Sequence, residues 1–392
     1  MDAWIVEALR TPRGRGKPDG ALASVAPVTL LADLVRELVR RVGAAEIDDV
    51  VVGCAAPTGD QGSDIGRLVA LCAGLEGASG STVSRFCASG LDAIATAAAR
   101  VGTGMESAVV AGGVEMLSRV PMFADAGPWF ADAEIAERTG FVHMGVAADL
   151  LASLEGIGKP ELDALAVESH RRAARAVDEG RFRSLVPVTR GDRTLLAADE
   201  GIRRDLDEAS LAARPGAFAP DADARRRIAA RFGDVEVRAL HQSRSSPALA
   251  DGAAAALIAN EATVSHHGWS PRARVRSWAH AAVDPTLMLT GNVDATRRAL
   301  GRAGLRADAI DVFEVNESFA AVPIHFASAM GISRERLNPN GGAIAMGHPL
   351  GATGGVLVSS ALDELERVGG RYAVASICGG AGVATALVLE RA

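Results

Sequence analysis

The feature that most constrains this chain is an internal repeat. Ile47-Asp48-Asp49-Val50-Val51-Val52-Gly53 has a counterpart in Ile310-Asp311-Val312-Phe313-Glu314-Val315-Asn316. Ala108-Val109-Val110-Ala111, ending in Gly112-Gly113, is echoed by Ala373–Ile377 leading to Gly379-Gly380. Between the two strand segments of each half, small residues open a helix. In the first half Ser84–Gly90 precedes Leu91–Val101, and in the second Gly341–Gly355 precedes Val356–Leu365. Three features matching in one order exceed the likeness of any two α/β units. Two halves packed back to back set matching helix starts face to face, which brings Cys87 towards Gly347-His348-Pro349.

Within each half, buried apolar strands alternate with amphipathic helices, so an α/β fold with a mostly parallel sheet is predicted. Ile5-Val6 reads as the first strand, and Leu31, Leu34, Val35, Leu38, Val39 and Val42 as one face of a helix. From about Glu115 to Gln242 strand signals become rare, and charged helical stretches such as Ala164–Ala176 alternate with loops rich in Arg, Asp and Pro. This reads as an insertion. Asp251–Ile258 resumes a core strand, and further strands are expected near Arg274–Trp278, Val312–Val315, Tyr372–Ile377 and Thr385–Leu389. The expected units are an N-terminal half over 1–115, completed by 247–261, an inserted loop domain over 116–246, and a C-terminal half over 262–392.

A formal net charge of −7 argues against a surface for nucleic acid or acidic membranes. The four cysteines, Cys54, Cys72, Cys87 and Cys378, show no metal-type spacing, so a reducing cytoplasmic setting is expected. The opening Met1-Asp2-Ala3-Trp4-Ile5-Val6 has no basic n-region before a long apolar run, and no secretory signal or membrane span is expected.

Cys87 stands among small residues where a helix begins. Unpaired N–H groups and the positive end of the helix dipole there favour a thiolate. Against that, most free cysteines are small buried hydrophobes. His348, in a long glycine-rich turn, can take the proton of such a thiol. Cys378 ends a buried strand just before Gly379-Gly380, where a second thiol can move a proton to or from carbon beside backbone N–H groups that bind an oxyanion. Asn316 ends another strand, and its amide can hold a water or a carbonyl.

Four segments, Arg85-Phe86-Cys87-Ala88-Ser89-Gly90, Asn316-Glu317-Ser318-Phe319-Ala320, Gly347–Gly354 and Cys378-Gly379-Gly380, make the chain resemble the thiolases. The resemblance extends over nearly the whole chain, including Arg10-Thr11-Pro12-Arg13-Gly14 and Gly112-Gly113-Val114-Glu115-Met116. It implies a fold of two pseudo-twofold-related halves layered α/β/α/β/α, with a loop domain inserted over the substrate. It also implies reversible cleavage of a 3-ketoacyl-CoA through an acyl group on Cys87. His348 would deprotonate the thiol, Cys378 would serve as acid and base at carbon, and His348 and Asn316 would form one oxyanion site. The N–H groups of Cys87 and Gly380 would form the other.

By the same resemblance His143, Met144, Ser243, Ser246, Met288 and Phe319 line the substrate path. CoA is a substrate, no metal or tightly held cofactor is needed, and a homodimer or homotetramer is expected. The sequence departs from the family at Pro247, where many members have serine, at Ser318, where alanine is usual, and at Ala381, where a third glycine is common. Pro247 has neither hydroxyl nor N–H to offer CoA. A ketoacyl-synthase-like condensing enzyme would use a cysteine with two histidines, which Asn316-Glu317 and Cys378 oppose. A non-catalytic acyl-CoA-binding relative should have lost one of the four reactive residues, and all are present.

Overall fold

The computed structural model describes residues 3–44 and 46–392; Met1 and Asp2 of the N-terminal stretch, and Ala45, lie outside them. The first half supplies strands β1 (Ala3–Arg10), β2 (Asp49–Gly53), β3 (Ser81–Val83), β4 (Ala108–Met116) and β5 (Ala250–Asn260). The second supplies β6 (Ala273–Ala282), β7 (Val312–Val315), β8 (Tyr372–Cys378) and β9 (Val383–Arg391). They lie in the order β7-β8-β9-β6-β1-β5-β4-β2-β3. The two half-sheets meet where β1 and β6 pair, Trp4 opposite Arg274 and Ile5 opposite Ala273.

Outward from that seam the halves repeat each other, β1-β5-β4-β2 on one side and β6-β9-β8-β7 on the other. β2 and β4 are parallel, as are β7 and β8, while β5 and β9 run antiparallel to their neighbours. The sheet is therefore mixed, where alternation of strands and helices predicts a mostly parallel one. Connectivity is the reason. β8 turns straight into β9 through Gly379–Gly382, and a short connection of that kind joins only antiparallel strands.

Helices α1 (Pro27–Val42) and α2 (Ile65–Cys72) cover the outer face of the first half-sheet. Leu30, Leu31, Leu34, Val35 and Leu38 form the buried stripe of α1. α3 (Ser89–Gly102) covers the inner face. The insertion contains α4 (Met144–Glu155), α5 (Lys159–Asp178) and a hairpin, Val188–Arg190 with Arg193–Leu196. α6 (Gly291–Ala303) and part of α7 (Ala321–Met330) cover the outer face of the second half-sheet. α8 (Thr353–Val368) lies beside α3 in the middle.

Strand periodicity builds the layers. In β2, Val50 and Val52 join the outer cluster, while Val51 joins the central one with Leu91 and Ile94 of α3 and Val358 and Leu362 of α8. The central cluster also takes Ala375, Ile377 and Leu387 from the other half-sheet, which completes an α/β/α/β/α stack. The starts of α3 and α8 cross with their backbones in contact. A Cβ on Gly354 would overlap the Leu91 amide, and one on Gly90 the Gly351 carbonyl. Glycine at these two positions is what lets the segments before the helices converge.

Candidate active site

Cys87 leaves a tight turn two residues before α3 begins. Phe86 sits at φ 50°, a left-handed conformation unusual outside glycine. Ser89 holds the turn: its Oγ accepts from Arg85 N–H at 2.8 Å and donates to Phe86 O at 2.5 Å. His348 follows Gly347, which has φ 100°, and its N–H donates to Ala248 O at 2.8 Å. His348 Nδ1 is 2.7 Å from Thr353 Oγ1, while buried Nε2 has no hydrogen-bond partner among the described residues. The tautomer that donates from Nδ1 to Thr353 leaves the Nε2 lone pair free to take a proton.

One cavity of about 260 Å³ is lined by Cys87, His348, Cys378 and Gly380 together with His143, Met144, Ser246, Pro247, Met288, Ser318 and Phe319. The starts of both central helices, the end of β8 and the insertion thus converge on one space. His143 caps α4, its Nδ1 accepting from Gly145 N–H at 3.1 Å, and stacks on Phe218 at 5.6 Å. A side chain at Gly145 would collide with that Phe218 ring. Ser246 lies on the wall, but its hydroxyl donates to Gln242 O at 2.8 Å.

Two expected residues stand apart. Ser243 is exposed and does not line the cavity. Asn316 is 1% exposed and sits behind the wall, its Nδ2 donating to Ser318 Oγ at 2.8 Å. Phe218, Leu249, Leu289 and Leu350 line the cavity without having been singled out in the sequence. Phe218 and Leu249 lie in loops with no periodicity to mark them.

The electrostatics weigh against one expectation. Burial pushes the Cys87 thiol up to about 12, with the fields of Cys378 and Glu115 acting in the same direction. Cys87 is half-buried, and desolvation of the charged form there opposes the helix end and favours the thiol. Burial likewise pushes Cys378 up to about 11, opposed by its contact with Ser318. His348 is depressed to about 3 by burial and then by the nearby Arg13 charge. Arg13 Nη1 donates to Gly347 O at 3.2 Å, and Asp199 from the insertion holds both Arg13 and Arg10 in a buried cluster. A neutral imidazole faces two neutral thiols in a largely apolar chamber. Such a set can exchange protons as a carbonyl is attacked, without carrying charge at rest. Among the described residues no group of three or more His, Cys, Asp or Glu could hold a metal ion.

Comparison with known proteins agrees with this geometry. Residues 3–224 match the family described as "Thiolase, N-terminal domain", and residues 269–391 match "Thiolase, C-terminal domain". The chain is 36% identical to the steroid 3-ketoacyl-CoA thiolase FadA6 of Mycobacterium tuberculosis, covering 100% of this chain and 94% of that protein. It is 36% identical to a 3-ketoacyl-CoA thiolase of Bacillus subtilis, covering 99% of each. To the 3-oxoadipyl-CoA/3-oxo-5,6-dehydrosuberyl-CoA thiolase of Escherichia coli it is 37% identical, over 100% of this chain and 99% of the other. The crystal structure of the Bacillus anthracis acetyl-CoA acetyltransferase superposes with a TM-score of 0.88 at 30% identity, covering 100% of this chain and 99% of that one. With both family regions matched in order and the relatives aligned from end to end, the chain belongs to the thiolase family of acyltransferases.

Proposed function

We propose that this protein cleaves 3-ketoacyl-CoA thioesters with CoA through an acyl group carried on Cys87. The observation that carries the reading is the convergence of Cys87, His348 and Cys378 on one cavity. Cys87 Sγ attacks the 3-keto carbon as its proton passes to His348 Nε2. The bond between C2 and C3 then breaks, leaving acetyl-CoA as an enolate and the shortened acyl group on sulfur. Cys378 gives its proton to C2, which releases acetyl-CoA. A second CoA takes the acyl group from Cys87: its thiol proton passes to the Cys378 thiolate, and the departing Cys87 sulfur recovers its proton from His348, which restores all three groups. Run backwards, Cys378 draws the proton from acetyl-CoA. The N–H groups of Cys87 and Gly380 are proposed to hold one developing oxyanion, and His348 with the Asn316 side the other. One such donor is typically worth about 3 kcal/mol of barrier.

The acyl end is proposed to be neutral and apolar. Beside Cys87 a second lobe is walled by Phe86, Phe123, Trp129 and Phe130, with Asp125 at its side and no lysine or arginine among the lining residues of either space. Phe86 and Trp129 lie 5.2 Å apart, and Phe123 and Phe130 4.4 Å. An ω-carboxylate entering there would meet aromatic faces and a like charge. Degradation of acyl-CoA, as in β-oxidation, is the proposed direction, supported by the 3-ketoacyl-CoA thiolases among the relatives. A cytoplasmic setting suits four free cysteines. Self-association through the three-residue edge strand β3 is part of the same proposal, supported by the open end it leaves on the sheet. CoA-dependent loss of acetoacetyl-CoA, a medium-chain 3-ketoacyl-CoA and 3-oxoadipyl-CoA tests the reading. The two neutral substrates should be turned over with higher kcat/KM. A preference for 3-oxoadipyl-CoA would overturn the acyl-end assignment, and no turnover of any would overturn the function.

A further inference from the structure

Between Asn316 and the cavity stands a hydroxyl. Ser318 lines the cavity and is 8% exposed. Its Oγ accepts from Asn316 Nδ2 at 2.8 Å and lies 3.3 Å from Cys378 Sγ. Asn316 itself is not among the lining residues, and its Oδ1 is buried without a partner among the described residues. A hydroxyl has one proton to give. With one lone pair taken by the amide, Ser318 still has its O–H free to point at sulfur.

We propose that Ser318 is a positioning residue for Cys378: clamped by Asn316, it donates to the Cys378 sulfur when that group has lost its proton, and so serves the carbon-acid half of the reaction rather than acyl transfer on Cys87. The proposal rests on the thiolysis reading. In that half, Cys378 S–H delivers a proton to C2 of the acetyl-CoA enolate. The electron pair of the S–H bond stays on sulfur as a thiolate, which Ser318 O–H then meets. The reverse step draws the C2 proton onto that thiolate.

Other titratable groups around Cys378 leave this assignment clear. Cys87 and His348 face it across the cavity, and His143 does so from the start of α4. Burial lowers both histidines, which are neutral above pH 7, and raises both thiols. Glu317, next to Ser318 in the chain, is turned away onto Ser169, Asn338 and the Ile344 N–H. A serine that merely filled space would act on neither half-reaction selectively.

The test compares wild type, Ser318→Ala and Ser318→Thr in two half-reactions. One is deuterium uptake from D2O into the methyl group of acetyl-CoA. The other is acetyl transfer from acetyl-CoA to 3′-dephospho-CoA. Ser318→Ala should slow deuterium uptake about tenfold, the scale of one hydrogen bond to a charged group, and slow acetyl transfer several-fold less. Ser318→Thr, which keeps the hydroxyl, should restore most of the uptake. The alkaline shift expected for Cys378 alkylation in Ser318→Ala supplies a second readout, and Ser318→Gly replaces that variant should it fail to fold. Equal slowing of both half-reactions, or no change in uptake, would overturn the proposal while leaving the thiolase reading intact. A wild-type protein inactive in thiolysis would overturn that reading instead.

Discussion

At Cys87 two residue-scale effects oppose each other. A helix N-terminus favours the thiolate by a fraction of the helix charge, whereas loss of water around sulfur penalises it. The thiol pushed up to about 12 means that the thiolate fraction of the free protein climbs through the whole neutral and alkaline range. Alkylation of Cys87 by iodoacetamide, followed by peptide mass spectrometry, should therefore accelerate about tenfold per pH unit between pH 7 and 10. A plateau beginning near neutrality would instead show a preformed thiolate–imidazolium pair. The sequence marks Cys87 as reactive, but it cannot report the balance of burial against dipole, because burial is set by residues from both halves and the insertion. Ala381 shows the same limit at smaller scale. Where a third glycine is common, it adopts φ 54°, and Ala381→Gly should stabilise the protein by about 1 kcal/mol in urea unfolding.

At the scale of elements, the site depends on how closely α3 and α8 begin. Gly354 has Leu91 backbone against it, and no flexible side chain can yield. Gly354→Ala should cost about 3 kcal/mol or more in urea unfolding and weaken thiolysis, because overpacking here pushes the Cys87 turn away from His348. Loss of activity with unchanged stability would contradict that account. These elements were largely legible in the sequence. The apolar stripe on α1, the valine run of β2 and the glycine-bounded turns each follow from a local period or a backbone demand. Strand direction was not legible, since β5 enters between β1 and β4 only after the insertion. Nor was the wall formed by Phe218 and Leu249, whose loops acquire meaning only once folded over the cavity.

For the whole molecule, the insertion is fastened to the chemistry by buried charge. Asp199 accepts from Arg10 at 2.9 Å through each carboxylate oxygen and from Arg13 Nε at 3.1 Å, and Arg13 reaches on to the carbonyl before His348. The two guanidinium groups hold the Asp199 carboxyl well below the usual carboxylate range despite its burial. A depressed acid contributes stability above the pKa of its unfolded form, and that contribution is lost as pH falls towards the folded value. Asp199→Asn strands two buried arginines and should cost about 3–5 kcal/mol at pH 7 in urea unfolding, with the difference from wild type shrinking in acid. The meeting of Cys87, His348 and Cys378 on one cavity and the repeat could be read from the chain. The Ser318 hydroxyl standing before Asn316 required the folded site, because residues two apart at a strand end give no sign of which one meets the cavity.

Thiolysis by this route passes through a covalent acyl-enzyme. The most direct measurement is the intact mass of the purified protein after brief exposure to acetoacetyl-CoA without free CoA, with the modified peptide then located. The expected result is a gain of one acetyl group on Cys87, discharged by added CoA and absent in Cys87→Ala. A protein that thiolyses the substrate with no label on Cys87, or whose Cys87→Ala variant remains as active as wild type, would contradict it.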